Sequence, residues 1–139
     1  MVRTLMDGRY FHGIRTFAAY ALASSARDEL GWIGLFHLEK AFQELFCLPG
    51  SPMTRPNNFS NRSAYTIQCA IPRAIARIRD NSGKAPMPVK RFFMDKLKFN
   101  DNQNNEVSAS DRIVLSLLIV SSIPIVTMSR FSCPVLLKL

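Results

Sequence analysis

The residues of this chain whose type and spacing could do chemistry are basic. Eight arginines and lysines lie between Arg73 and Lys98 among only two acids, so this stretch carries +6 of the net +8. Such a density favours phosphate-bearing partners, either nucleic acid or an anionic membrane surface. Phe92 and Phe93 lie among the charges and could stack on bases or enter a lipid headgroup layer. The candidate polyanion-binding residues are Arg73, Arg77, Arg79, Lys90, Arg91, Lys96 and Lys98.

The sequence gives little support for catalysis or for metal binding. The two histidines, His12 and His37, fall on the polar sides of predicted helices, and the three cysteines are far apart without a CxxC pair. No metal-ligand spacing follows from these positions. The chain also lacks a P-loop and the GxGxxG, GxSxG and HExxH motifs. We therefore predict a non-enzymatic protein without a catalytic, metal or cofactor site.

The run Ile113–Ser129 carries no charged residue. As a helix, its 17 residues would be about 25 Å long, slightly shorter than the ~30 Å hydrocarbon core of a bilayer. Pro124 within the run is tolerated in a membrane helix. The run therefore predicts a C-terminal membrane anchor. Its apolar residues are Ile113, Leu115, Leu117, Leu118, Ile119, Val120, Ile123, Ile125 and Val126.

A second interpretation of the same run is a set of short core β-strands. Half of residues 113–128 are Ile, Val or Thr, which favour strands. An apolar run of eight residues is also typical of a strand covered on both faces. The strands would be Ile113–Val120, Ile125–Phe131 and Val135–Leu139, and the sequence leaves both interpretations open.

Two helices are predicted in the N-terminal part. Residues 9–29 form an amphipathic pattern, and residues 32–47 form a second one that ends at Pro49. A short connection between them predicts an antiparallel helical hairpin. We expect the apolar stripes of the two helices to face each other on the inner side of this hairpin. They are Tyr10, Phe11, Ile14, Phe17, Ala18, Ala21 and Leu22 on the first helix, and Leu35, Leu38, Ala41, Phe42, Leu45 and Phe46 on the second.

One or two basic helices follow. In the stretch Ala64–Ile78 we expect a new helix to begin at Pro72, because proline suits the first helical position. Pro88–Phe99 is a further possible helix. The fold class is thus mainly α with a C-terminal apolar segment. The predicted division is a helical body at 1–99, a polar linker at 100–112 and a hydrophobic segment at 113–139.

These patterns predict a small basic protein held at a membrane by its C-terminal anchor. Three basic residues precede the anchor and two follow it, so the positive-inside rule places the N-terminal body in the cytoplasm. Four arginines and one acid in the first 27 residues also allow a mitochondrial location. The alternatives are a soluble, non-specific nucleic-acid-binding module and an open reading frame without selected function.

Overall fold

The computed structural model describes residues 1–56, 58 and 60–99, and these residues are mainly helical. The helices are α1 (Val2–Met6), α2 (His12–Ser24), α3 (Ile33–Phe46), α4 (Arg62–Ile75) and α5 (Met87–Lys98), with a 3₁₀ turn at Asp28–Leu30. Within the described ranges there is no β-strand, only an isolated bridge between Cys47 and Thr54. The predicted mainly α class is confirmed.

The helix ends follow local chemistry. The side chain of Asn61 accepts a hydrogen bond from the backbone N–H of Ala64 at 3.0 Å, which caps the start of α4. Pro88 lies in the first turn of α5, where a missing N–H costs no helical hydrogen bond. Gly31 and Trp32 both have left-handed backbone angles, with φ of 60° and 58°, and turn the chain into α3. Trp32 adopts this uncommon conformation while packing against the core.

The helix α4 corrects one prediction, because it runs through Pro72 instead of beginning there. The helical pattern continues beyond the proline, since the backbone N–H of Ala76 donates to the carbonyl oxygen of Pro72 at 2.8 Å. Pro72 is fully buried, as are Ile71 and Ile75 on either side. We infer that burial of this apolar segment outweighs the hydrogen bond that proline removes from a helix.

The core lies where α2, α3 and α4 meet, with α1 against α2 and α3. The predicted stripe of α3 is confirmed, since Leu35, Leu38, Ala41, Phe42 and Phe46 are buried and Leu45 is partly buried. The helix α5 joins through its aromatic side chains. The rings of Phe92 and Phe42 meet edge to face with centroids 5.7 Å apart.

The helix α2 is rotated relative to its prediction. Only Ala18 and Leu22 of the predicted stripe are buried, and its three aromatic side chains and Ile14 are exposed. Small residues replace them at the helix contacts, which lets neighbouring backbones approach closely. The backbones of α2 and α3 are so close at Gly34 that a Cβ atom there would overlap the carbonyl oxygen of Leu22. The residues of α2 that face the core are Arg15, Ala18, Ala19, Leu22 and Ala23.

Arg15 is buried on this face, with 5% of its surface exposed. Its Nε–H donates to the carbonyl oxygen of Leu5 at 2.9 Å, which joins α2 to α1. Burial lowers the pKa of the Arg15 guanidinium, while the charge of Asp7 acts in the opposite direction. Arginine side chains are usually exposed, but Arg15 is buried and holds two helices together.

The C-terminal predictions concern residues outside the described ranges. The linker 100–112, the anchor run 113–129 and the alternative strands all lie there. Among the residues that the structure describes, no helix is long and apolar enough to cross a membrane. The division at 99 and 112 stays a prediction.

Candidate protein-interaction surface

The seven candidate polyanion-binding residues lie on α4, on α5 and in the segment between them, and they differ in exposure. Arg73 is in the last turn of α4 and Arg77 is in the turn after it, and both are exposed, as are Arg91 and Lys98 on α5. Arg79 and Lys90 are partly buried, and Lys96 is buried. The set is therefore not one continuous basic face.

Lys96 points into the protein. Its Nζ donates to the carbonyl oxygen of Pro52 at 3.2 Å and to the Sγ of Cys47 at 3.3 Å. The same ammonium group lies 5.2 Å from the ring centroid of Phe42 and 5.8 Å from that of Phe92. Only 9% of the Lys96 surface is exposed. Its charge thus joins α5 to the loop after α3 and is not presented to a phosphate.

The two aromatic residues of the basic region are likewise part of the core. Phe92 is 6% exposed and Phe93 is fully buried. Their rings contact each other with centroids 5.3 Å apart. In this structure they are not free to stack on bases or to enter a headgroup layer, because doing so would empty the core around α5.

Arg79 has a structural role at the end of α4. Its guanidinium donates to the carbonyl oxygens of Ala76 and Ile78 at 2.6 and 2.9 Å. Carbonyls at a helix end lack partners within the helix, and an arginine side chain commonly satisfies them. The guanidinium of Arg79 is therefore bound to backbone carbonyl groups of the protein itself.

Arg77 is different, because its guanidinium lies on an aromatic ring at the surface. The Cζ atom of Arg77 is 4.5 Å from the ring centroid of Tyr20 on α2. A shallow cavity of about 110 Å³ opens beside the pair and is lined by Tyr20, Ala23, Ser24 and Arg77. Neither Arg73 nor Arg77 forms an ion pair with a carboxylate in the described part of the chain. The stacked guanidinium is held in place and keeps its donors for an incoming group.

Beside this cavity, α2 presents an apolar ridge to solvent. Phe11, Ile14 and Phe17 are 64%, 51% and 72% exposed, and we call these three residues the α2 stripe. Sequence reasoning selected these residues and assigned them to the core. Their spacing marked an apolar helix face correctly, but periodicity does not say whether the protein itself covers that face.

The histidines take part in ring contacts at the surface. His12 lies against Phe11 with centroids 4.1 Å apart, and His37 lies against Phe36 at 5.6 Å. Within the described ranges, no three His, Cys, Asp or Glu side chains are grouped so that they could hold a metal ion.

Comparison with known proteins identifies the family. A family model described as TAF2-like, TPR repeats matches residues 1–129. The chain is similar to the transcription initiation factor TFIID subunit 2 of Schizosaccharomyces pombe, with 45% identity over 121 residues, 87% of this chain and 10% of that protein. The subunit 2 of Saccharomyces cerevisiae is 42% identical over 118 residues, 85% of this chain and 8% of that protein. That of Drosophila melanogaster is 35% identical over 104 residues, 73% and 8%.

The chain thus spans about a tenth of the length of these relatives. No solved structure matches it. The family match extends through residue 129 and so includes the whole run that was predicted as a membrane anchor.

Four predictions are wrong in the light of this family. The membrane-associated function, its nucleic-acid-binding alternative and the reading frame without function are contradicted by the relationship to TFIID subunit 2. The partners, an anionic membrane or nucleic acid, and the membrane or mitochondrial location are contradicted with them. The description as a single-pass membrane protein fails for the same reason.

The prediction of a non-enzymatic chain is confirmed, because the matching region is a non-catalytic, helical-repeat part of these subunits. TPR repeats are pairs of helices that stack on their neighbours and present surfaces to other proteins. The helices described above, with their apolar exposed ridge, suit that architecture. By its match over residues 1–129, the chain belongs to the family of TAF2-like TPR repeats.

Proposed function

We propose that this chain is a helical-repeat segment of a TFIID subunit 2-type transcription initiation factor. It acts as a protein-interaction scaffold in the nucleus, where transcription initiation takes place, and its partners are TFIID subunits. The observation that carries this proposal is the match of residues 1–129 to the TAF2-like repeat family, together with 45% identity to the S. pombe subunit.

The geometry supports a repeat unit built from α2 and α3. The end of α2 meets the beginning of α3 where Gly34 lies against Leu22 and Ala26, a contact that supports the proposed pairing of the two helices. Such a pair cannot bury all of its apolar surface alone, so repeats of this kind gain stability by stacking.

A chimera tests the proposal. The segment of S. pombe TFIID subunit 2 that aligns with this chain would be replaced by the corresponding residues of this chain. The complex would then be purified through a tag on a different TFIID subunit. We expect the chimera to co-purify at a level close to that of the native subunit, because the segment supplies an equivalent scaffold.

Two controls define the result. A subunit that lacks the segment should co-purify less, and a chimera with Leu38→Asp should behave like the deletion, since a charge at a fully buried position prevents folding. A chimera that is expressed stably but absent from the purified complex would contradict the proposal.

A further inference from the structure

We propose that the α2 stripe and the Arg77–Tyr20 pair together form a docking site for an amphipathic helix of a partner protein. The partner helix would carry an apolar face bordered by acidic residues. This inference goes beyond the scaffold function, because it specifies the surface and the chemistry of what binds there.

The apolar part of the site is a ridge along one helix. Ile14 and Phe17 lie three residues apart on one side of α2, and Phe11 directly precedes the helix with its ring close to Gly13. Each leaves at least half of its surface in water. Large side chains in a row with this exposure are what an amphipathic helix covers with its own i, i+3 and i+4 positions.

The charged part of the site continues the same helix. Tyr20 follows Phe17 by three residues, and its ring supports the guanidinium of Arg77 at 4.5 Å. Arg73 precedes Arg77 by four residues in the sequence and is also exposed. Arg77 has no carboxylate partner in the described ranges and lies over the residue that follows Phe17 by three, so it favours an acidic edge on the occupant.

The cavity beside Arg77 has room for the acidic group. Its volume of about 110 Å³ is well above the ~10–15 Å³ that a single water molecule needs, so a carboxylate can enter it. The hydroxyl of Ser24 lines this cavity and donates to the carbonyl oxygen of Tyr20 at 3.0 Å. A carboxylate placed there would meet the fork of Arg77 in the geometry that arginine prefers.

The test measures binding of two synthetic helical peptides to the full-length chain by fluorescence anisotropy. Both peptides have about 20 residues and the same leucine stripe, and they differ only in glutamate or lysine beside it. We expect the glutamate peptide to bind at least about tenfold more tightly than the lysine peptide. Equal affinity for the two peptides would overturn the proposal, because it would indicate apolar adhesion only.

Variants locate the site. Phe17→Ser and Arg77→Ala should each weaken glutamate-peptide binding by about tenfold or more, and Arg77→Lys should have an intermediate effect. Phe36→Ser and Arg91→Ala are matched controls, since these residues are similarly exposed but lie on α3 and α5. All four positions are at the surface, and circular dichroism would verify folding. An equal loss in the controls would overturn the assignment to this surface.

Sedimentation tests whether the α2 stripe is covered by a second copy of the chain instead of a partner helix. If the chain dimerises and Phe17→Ser makes it monomeric, the stripe is covered by another copy of the chain and the proposal is wrong. The chimera experiment is independent of these outcomes. If the chimera assembles into TFIID but the peptide does not bind, the docking site is contradicted and the scaffold function is supported.

Discussion

The ammonium group of Lys96 lies 3.3 Å from the sulfur of Cys47 and is almost fully buried between α5 and the end of α3. The same group reaches the carbonyl oxygen of Pro52 in the loop after α3. That loop folds back on the helix, since the backbone N–H of Leu48 donates to the carbonyl oxygen of Met53 at 2.9 Å. One lysine therefore holds α5, the end of α3 and the loop in a fixed arrangement.

We predict that Lys96→Ala lowers the free energy of unfolding by about 2 kcal/mol, because both the buried stem and the ammonium contacts are lost. Lys96→Met should cost less, since methionine fills the volume of the stem without a buried charge. Urea denaturation would measure both. Lys98→Ala is the control, because Lys98 is exposed and its removal should change stability by less than about 0.5 kcal/mol. Equal effects at positions 96 and 98 would argue against this contact.

A second prediction concerns the crossing of α2 and α3 at Gly34. In Gly34→Ala the new methyl group would overlap the carbonyl oxygen of Leu22 and lie 2.9 Å from the backbone nitrogen of Ala26. Both atoms belong to the backbone, so the helices must separate, and we expect a loss of about 1–3 kcal/mol. Thermal unfolding would measure this. Gly8→Ala should be nearly neutral, because nothing lies within 4 Å of the added carbon. A Gly34→Ala protein as stable as Gly8→Ala would show that the helices are not in close contact.

Arg15 supports a third prediction. Arg15→Met retains an apolar stem but leaves the carbonyl oxygen of Leu5 without its donor, which should cost about 1–3 kcal/mol. Amide hydrogen exchange should accelerate first in α1, because this bond joins α1 to α2. Arg9→Met is the comparison, since Arg9 pairs with Asp7 in an exposed position and such pairs contribute little. If exchange in α1 responds alike to both changes, the buried bond does not hold the helix.

The pH dependence of stability follows from Glu39. Burial raises the pKa of this carboxyl group and Asp95 raises it further, while Lys96 and Arg91 oppose the shift. A carboxyl whose folded-state pKa is raised binds its proton more tightly in the folded protein. Its ionisation therefore removes stability as the pH rises from the unfolded value of 4.5 through the raised value.

We accordingly expect Glu39→Gln to be more stable than the parent at about pH 7 and equally stable at about pH 3, where the parent carboxyl is protonated in both states. Urea unfolding midpoints at the two pH values would measure the difference. Glu44→Gln is the control, because the Glu44 side chain is 52% exposed and pairs with Lys40. A Glu39→Gln protein less stable than the parent near neutrality would contradict the assignment.

Sequence periodicity predicted much of the helical fold. The second predicted helix, residues 32–47, and the last, residues 88–99, match α3 and α5 within two residues at each end. The buried face of α3 was also predicted, because large apolar residues repeat there at helical spacing. On α5 the sequence analysis assigned Phe92 and Phe93 to a polyanion-binding surface, whereas both are buried. The short helix α1 was missed, since five residues are too few to show a period.

The sequence by itself determined where most of the helices form, because helical spacing, caps and prolines act within a few residues. Only the tertiary structure decided how α2 is rotated about its axis, because that depends on which face lets the neighbouring backbones approach. Alanines and Gly34 allow a closer contact than the phenylalanines, so the more apolar stripe stays outside. Other tertiary contacts buried Lys96 and Phe92 and placed Arg77 on the ring of Tyr20, a residue 57 positions away in the sequence. Contacts between residues so distant in the chain leave no local pattern, and folding alone brings them together.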